Sequence, residues 1–295
     1  MQKAPSHSDA RIRIAAVRTL ASVARSTQGF ECAPGDAPNL CAMSRSHVMK
    51  EPDDMSLPFV DAAQMREVDR LMVDEFEIGL IQMMESAGRN LAHLTRERLL
   101  AGEPVGKRIA VLAGSGGNGG GALAAARRLH RWGAHVSVYL TRSIPKLAPV
   151  TQQQARTLQR LGVLPAAEGA RTPIPEEAFD AVLDGLIGYG LEGSPRGTTA
   201  QLIGWANRQS AAIIALDVPS GVDASSGLAH EPTIRARVTM TLALPKKGLA
   251  LEAARDCVGE LYVADIGVPA ELYARTAIGA AVGPVFAHGD IVRLW

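Results

Sequence analysis

The sequence predicts a doubly wound α/β domain with two helices added at its N-terminal side. Short runs that are apolar throughout alternate with helix-like stretches, which is the pattern of a parallel sheet covered on both faces. The polar residues and glycines concentrate just after these runs, where open parallel sheets bind ligands. No internal repeat and no second domain break the alternation.

The elements follow in order from Leu57. "DAAQMREVDRLMVDEF" opens on Asp61, a good N-cap, and places Met65, Val68, Leu71 and Met72 on one helical face. A second helix follows in "GLIQMMESAGRNLAHLTRERLL". Then come "RIAVLAG" (strand), "GALAAARRLHRW" (helix), "AHVSVYL" (strand), "VTQQQARTLQRLG" (helix), "AFDAVLD" (strand) and "TAQLIGWANRQ" (helix). Three further strands, "AAIIALD", "RVTMTLAL" and "GELYVAD", complete the sheet. The expected domain spans residues 55–295.

Residues 1–54 read differently. "DARIRIAAVRTLASVARSTQGF" is Arg- and Ser-rich and mildly amphipathic, and the stretch after it has no periodicity. A transit peptide has this character; a later start at Met43, Met49 or Met55 is the favoured expectation.

Composition excludes several classes of function. Among 295 residues, Lys and Arg number 31 against 30 Asp and Glu, so no basic footprint marks a nucleic-acid or acidic-membrane partner. Aromatic residues make up 4 %, too few for base-stacking platforms. No run approaches the roughly 20 apolar residues of a membrane helix. The three cysteines, Cys32, Cys41 and Cys257, form no C-x-x-C pair and read as inert thiols in a reducing cytoplasm.

The chemistry is expected at the strand ends. After "RIAVLA" comes "GSGGNGGG", six glycines around Ser115 and Asn118. Gly114-x-Gly116-x-x-Gly119 matches a dinucleotide fingerprint, but the next strand ends "VYLTRS" without the carboxylate that holds ribose hydroxyls. Arg142 would suit a 2′-phosphate or simply be solvated. No Lys-Ser/Thr follows, so the loop is not a P-loop. Bare backbone at a helix start still suits an anion. Asp184 follows the third strand and Asp217 the fourth, in "DVPSG"; "LPKKG" follows the next, with at least one lysine expected at the surface. Asn118, Asp184 and Ser220 would converge at neighbouring strand ends as oxygen-only ligands, a set for a hard cation. Asp217 is left for acid–base work. His93, His130 and His135 read as structural or exposed.

Taken together, "DAAQMREVDRLMVDEFEI", "QMMESAGRNLA", "VLAGSGGNGGGALAAARRLHRWGAHVSVYL", "VLDGLIGYGLEG", "ALDVPSGVDASSG", "TLALPKKGL" and "VADIGVP" resemble the NAD(P)H-hydrate epimerases, or YjeF N-terminal domain family. The resemblance covers about Leu57 to Tyr273 and implies a three-layer αβα Rossmann-like domain with a mostly parallel sheet, usually a cytoplasmic homodimer. It implies interconversion of the R and S epimers of hydrated NADH or NADPH (NADHX, NADPHX), in nicotinamide cofactor repair beside a separate dehydratase. One K+ per subunit would sit on Asn118, Asp184 and Ser220. Asp217 would be the catalytic, substrate-contacting carboxylate. Asn118, Gly119, Gly120 and the turn Gly188, Gly190, Leu191 and Gly193 would bind the substrate.

Where the family loop reads N-N-G-G-D-G, this chain reads Gly117-Asn118-Gly119-Gly120-Gly121-Ala122. The lost Asp would cost about 1–3 kcal/mol of contact, which reduces activity rather than abolishing it. A nucleotide-binding or dimerisation scaffold without activity is the alternative. An ordinary NAD-dependent dehydrogenase is the poorer third.

Overall fold

A computed structural model describes residues 57–165, 178–275, 279 and 282–295. The tail assigned to residues 1–54, with Cys32 and Cys41, lies outside them. In chain order the elements are α1 (Ala62–Asp74), α2 (Leu80–Leu99), β1 (Arg108–Ala113), α3 (Gly117–Arg131), β2 (His135–Leu140) and α4 (Pro149–Arg160). They continue with β3 (Ala181–Gly185), α5 (Gly197–Arg208), β4 (Ala212–Leu216), β5 (Val238–Leu242), α6 (Arg255–Val258), β6 (Glu260–Ala264), α7 (Ala270–Arg275) and β7 (Ile291–Arg293).

One sheet runs β2-β1-β3-β4-β5-β6-β7. β1 to β6 are parallel, and β7 closes the β6 edge antiparallel, with Val263 opposite Val292. The strands are apolar at most positions because both faces are covered, and the polar residues Asp184, Thr239 and Thr241 within them are buried. Along β1, Ile109, Val111 and Ala113 enter the core shared with α1 to α4, while Ala110 and Leu112 enter the core under α5 with Trp205 and Tyr139. This is the period-2 alternation of a strand applied to two apolar layers.

The N-terminal helices are fixed by local chemistry as read. The Asp61 carboxylate accepts the Gln64 N–H at 2.9 Å and the Gln64 side chain accepts the Asp61 N–H at 3.0 Å, a capping box. Met65, Val68, Leu71 and Met72 are the buried face. Ahead of α1, Val60 pairs with the chain beyond β5, its N–H on Pro245 and its carbonyl receiving the Lys247 N–H. That bridge sets α1 across the carboxyl end of β5.

Two features differ from the sequence reading. α3 begins at Gly117, four residues before the expected start, because the glycines form its first turn. Glycine is needed on the facing helix: a Cβ at Gly88 of α2 would lie 2.5 Å from the Ala124 Cβ and 2.6 Å from the Gly121 carbonyl oxygen, so α2 and α3 touch backbone to backbone. The short α6, α7 and β7 carry too little periodicity to be read from sequence.

Candidate active site

The order β2-β1-β3 makes the β1/β3 boundary the point where connections leave in opposite directions, and ligands bind beyond the strand ends there. A cavity of about 960 Å³ opens at that place, between α1 and α2 on one side and the turns after β1, β3, β4 and β5 on the other. It is large enough for a nucleotide-sized ligand.

The glycine loop contributes less open backbone than its composition suggested. Added Cβ atoms at Gly114, Gly119 and Gly120 would lie 1.9 Å from the Leu186 carbonyl oxygen, 2.0 Å from that of Gly114 and 2.3 Å from the Met84 sulfur. These positions serve close packing of β1, α3, α2 and the turn after β3. Gly116, Gly117, Asn118 and Gly121 line the cavity, whereas Gly119 and Gly120 lie behind its wall. Gly116 is the N-cap of α3 without a side-chain cap, so the first turn of a 15-residue helix faces the cavity, where an anionic group is favoured. A Cβ at Gly121 would meet Leu216 Cδ2 at 2.9 Å, so a larger residue there needs Leu216 to move.

Two of the three oxygen-bearing residues, Asp184 and Ser220, bond directly. Ser220 donates its N–H to Asp184 Oδ2 at 2.8 Å and its hydroxyl to Oδ1 at 2.7 Å. The Leu186 N–H adds a third bond to Asp184 at 3.1 Å, and the Ile187 N–H donates to Ser220 Oγ at 2.8 Å. Asp184 is fully buried, and burial pushes its pKa up to about 6 against the hydrogen bonds from Ser220 and Leu186. No lysine, arginine or histidine among the described residues pairs with it. Asn118 lies beside the same turn: a Cβ at Gly188 would be 3.4 Å from Asn118 Oδ1 and 3.0 Å from Asp217 Oδ2. The Asn118 side-chain nitrogen is buried with no hydrogen-bond partner. An orphaned amide and an unpaired buried carboxylate fit a cation held by oxygen atoms, the amide turning its carbonyl inward. No group of three His, Cys, Asp or Glu suited to a metal occurs among the described residues.

Asp217 sits one residue beyond β4 with φ +67°, in the left-handed region a non-glycine residue rarely adopts. Its carboxylate is buried, and Lys246 Nζ lies 2.5 Å from Oδ1. Weaker bonds come from the Leu242 N–H at 3.3 Å and the Thr241 hydroxyl at 3.4 Å, both on Oδ1, and from the Tyr189 N–H at 3.1 Å on Oδ2. Lys246 is wholly buried and also donates to the Leu242 carbonyl at 2.7 Å. The lysines of "LPKKG" therefore divide: Lys247 is on the surface, paired with Asp61 at 2.9 Å, and Lys246 belongs to the site. Sequence reasoning gave Lys246 no role, since two adjacent lysines look alike until the chain's path is known.

Asp69 and Tyr189 were also missed. The Tyr189 hydroxyl donates a short bond to Asp69 Oδ2, and both residues line the cavity. Residue types 120 positions apart carry no local signal of such a pairing. Of the expected substrate turn, Gly188, Gly190 and Leu191 line the cavity; Gly193, at φ +67°, does not. His93 packs edge-on to Trp132, a structural role, and burial lowers its pKa. Cys257 is buried, which raises its thiol pKa. Among the described residues no helix is long and apolar enough to cross a membrane.

Residues 80–248 match the family described as YjeF-related protein N-terminus. The chain belongs to that family. The NAD(P)H-hydrate epimerase of Dehalogenimonas lykanthroporepellens is 46 % identical over 233 residues, covering 78 % of this chain and 90 % of that protein. The NAD(P)H-hydrate epimerase of Rhodopirellula baltica is 34 % identical over 229 residues, 76 % of this chain and 90 % of that one. The bifunctional NAD(P)H-hydrate repair enzyme Nnr of Moorella thermoacetica is 35 % identical over 220 residues, where this chain spans 41 % of its length. The crystal structure of yeast ynu0 superposes with a TM-score of 0.65 at 22 % identity, over 81 % of this chain and all of that one, and shares the fold. As a YjeF-related N-terminal domain, the chain places its family loop, its two aspartate turns and its buried lysine around one cavity.

Proposed function

We propose that this chain epimerises the R and S forms of hydrated NADH or NADPH. The observation that carries the reading is the buried Asp217–Lys246 pair on the wall of a nucleotide-sized cavity, in a chain that aligns with proteins named NAD(P)H-hydrate epimerase over most of their length. The hydrated ring carbon bears a hydroxyl next to the ring nitrogen. Protonating that hydroxyl lets the nitrogen lone pair expel it as water, which leaves a planar carbon. Water returning to the opposite face gives the other epimer. The reaction needs a group that moves a proton and a wall that keeps the ring in place. The Asp217–Lys246 pair suits the first, in a low-dielectric setting that strengthens its field. The apolar surface of Met83, Met84 and Leu186 suits the second. The start of α3 and the turn at Gly188, Gly190 and Leu191 suit the phosphates.

Asn118, Asp184 and Ser220 would hold one K+, whose charge offsets the buried Asp184 and steadies the two turns that carry Asp217 and Gly188. A homodimer working in the cytoplasm beside a separate dehydratase completes the reading, on the family resemblance. The scaffold alternative is not favoured, since the Asp217–Lys246 pair is intact.

The test is conversion of pure R-hydrate to S, with and without protein, in potassium and in tetramethylammonium buffers. Acceleration by the wild type, weakened in Asn118→Ala and in the potassium-free buffer, is expected. Equal rates with and without protein refute the function. Equal melting temperatures in the two buffers refute the cation site alone.

A further inference from the structure

We propose that Asp69 of α1 is a second catalytic residue, exchanging a proton on the face of the substrate ring opposite the Asp217–Lys246 pair. The proposal rests on the epimerase reading above. Inverting a carbon by losing and regaining water requires the hydroxyl to leave from one face and water to arrive on the other. A single buried acid–base group serves only one of those faces. The cavity offers a second carboxylate carried by a different element: Asp69 comes from α1, whereas Asp217 follows β4.

Tyr189 holds the two in register. Its hydroxyl donates to Asp69 Oδ2, and its backbone N–H donates to Asp217 Oδ2 at 3.1 Å. Among the described residues no side chain or backbone group bonds to Asp69 Oδ1, which leaves that oxygen for the substrate. The Val60 bridge to Pro245 and Lys247 fixes α1 against the same turn that bears Lys246. Around Asp69 stand Arg66 on its own helix, Tyr189 from the turn after β3, Asp217 after β4, Lys246 after β5 and Tyr273 of α7. Burial raises the Asp69 pKa, with the Tyr189 hydrogen bond and Lys246 acting against it and Asp217 adding to it. A carboxyl so placed is suited to carrying a proton.

The step balances with one proton shared over the two carboxylates. Asp69 gives its proton to the departing hydroxyl, the C–O bond breaks, and the nitrogen lone pair becomes the second bond to carbon. Water then adds from the other face, the ring nitrogen regains its lone pair, and the Asp217 carboxylate takes the proton released. The opposite epimer reverses the sequence, and bulk water returns the proton between turnovers.

The experiment is the pH profile of R-to-S conversion for wild type, Asp69→Asn and Tyr189→Phe, with a melting scan of each. Asp69→Asn keeps an acceptor for Tyr189 but cannot carry the proton. It is expected to lower kcat about 10²- to 10⁴-fold, with KM within about threefold, and to lose the alkaline limb. Tyr189→Phe removes a bond that lowers the Asp69 pKa, so the alkaline limb should move to higher pH. A kcat for Asp69→Asn within about threefold of wild type overturns the proposal. Should Asp69→Asn not fold, an unmoved alkaline limb in Tyr189→Phe overturns it instead. A wild type that does not epimerise at all overturns the function itself, a result distinct from an active Asp69→Asn.

Discussion

Replacing Lys246 with methionine removes the cation paired with Asp217 while keeping most of the lysine stem's volume. The side chains of the pair are 1 % and 5 % exposed, so water cannot take over the lost partner. The remaining bonds to the Asp217 carboxylate span 3.1–3.4 Å and come from neutral donors, against 2.5 Å from the ammonium. Breaking a buried ion pair from one side costs about 3–5 kcal/mol, because a charge is left behind uncompensated. For a domain of this size each kcal/mol lowers Tm by about 2–4 °C, so Lys246→Met should melt about 6–20 °C below wild type. Circular dichroism melts of wild type, Lys246→Met, Asp217→Asn and the double variant close a double-mutant cycle. The double variant should be more stable than the sum of the single changes predicts, since it leaves neither charge unpaired. A Lys246→Met Tm within about 2 °C of wild type, or strict additivity in the cycle, would refute the buried pair.

Other consequences follow from single positions. Asp61→Ala deletes a capping box and the Lys247 pair, and should cost about 0.5–2 kcal/mol at pH 7 in urea unfolding. Although burial works against it, the Gln64 N–H and Lys247 together lower the Asp61 pKa below its usual 3.8, so this stabilisation is present above that pH and fades as pH falls through the folded-state value; a penalty unchanged at pH 2 would count against it. Gly88→Val forces a Cβ to 2.5 Å from Ala124 and should cost about 1–3 kcal/mol, with lower activity because α3 carries Asn118; a urea midpoint equal to wild type would show the helices can part freely. Gly188→Ala sets a methyl 3.0 Å from Asp217 Oδ2 and should cut kcat/KM by about tenfold or more while leaving Tm within a few degrees; unchanged kinetics would mean the turn is slack.

The sheet was legible in sequence because strands covered on both faces are apolar at most positions, and short apolar runs alternating with helices are the pattern of a parallel sheet. Asp61 could be read as a cap because its partner, Gln64, is three residues away. The meeting of Asp184 and Ser220, with Asn118 beside the turn at Gly188, could be read because parallel strands bring their carboxyl ends to one edge. Lys246 could not be distinguished from Lys247, because only the bridge from Val60 decides which lysine turns inward. Asp69 and Tyr189 meet through tertiary packing alone. Density of glycine shows that backbone comes close to something: at Gly114, Gly119 and Gly120 that something is the protein's own chain, while Gly116 and Gly117 line the cavity.

That last point bears on how such a site could be remodelled. Gly114, Gly119 and Gly120 are wedged against neighbouring backbone and methionine, so substitutions there would change the frame before they changed the ligand. Gly116 and Gly190, lining the cavity with open space where a side chain would start, are the free addresses. Selection for a new substrate, natural or in the laboratory, has room to write at those two positions and at Gly117, whose nearest neighbour is the flexible end of Met84 at 3.7 Å. A library restricted to them would vary recognition while leaving the frame that holds Asn118 and Asp217 untouched.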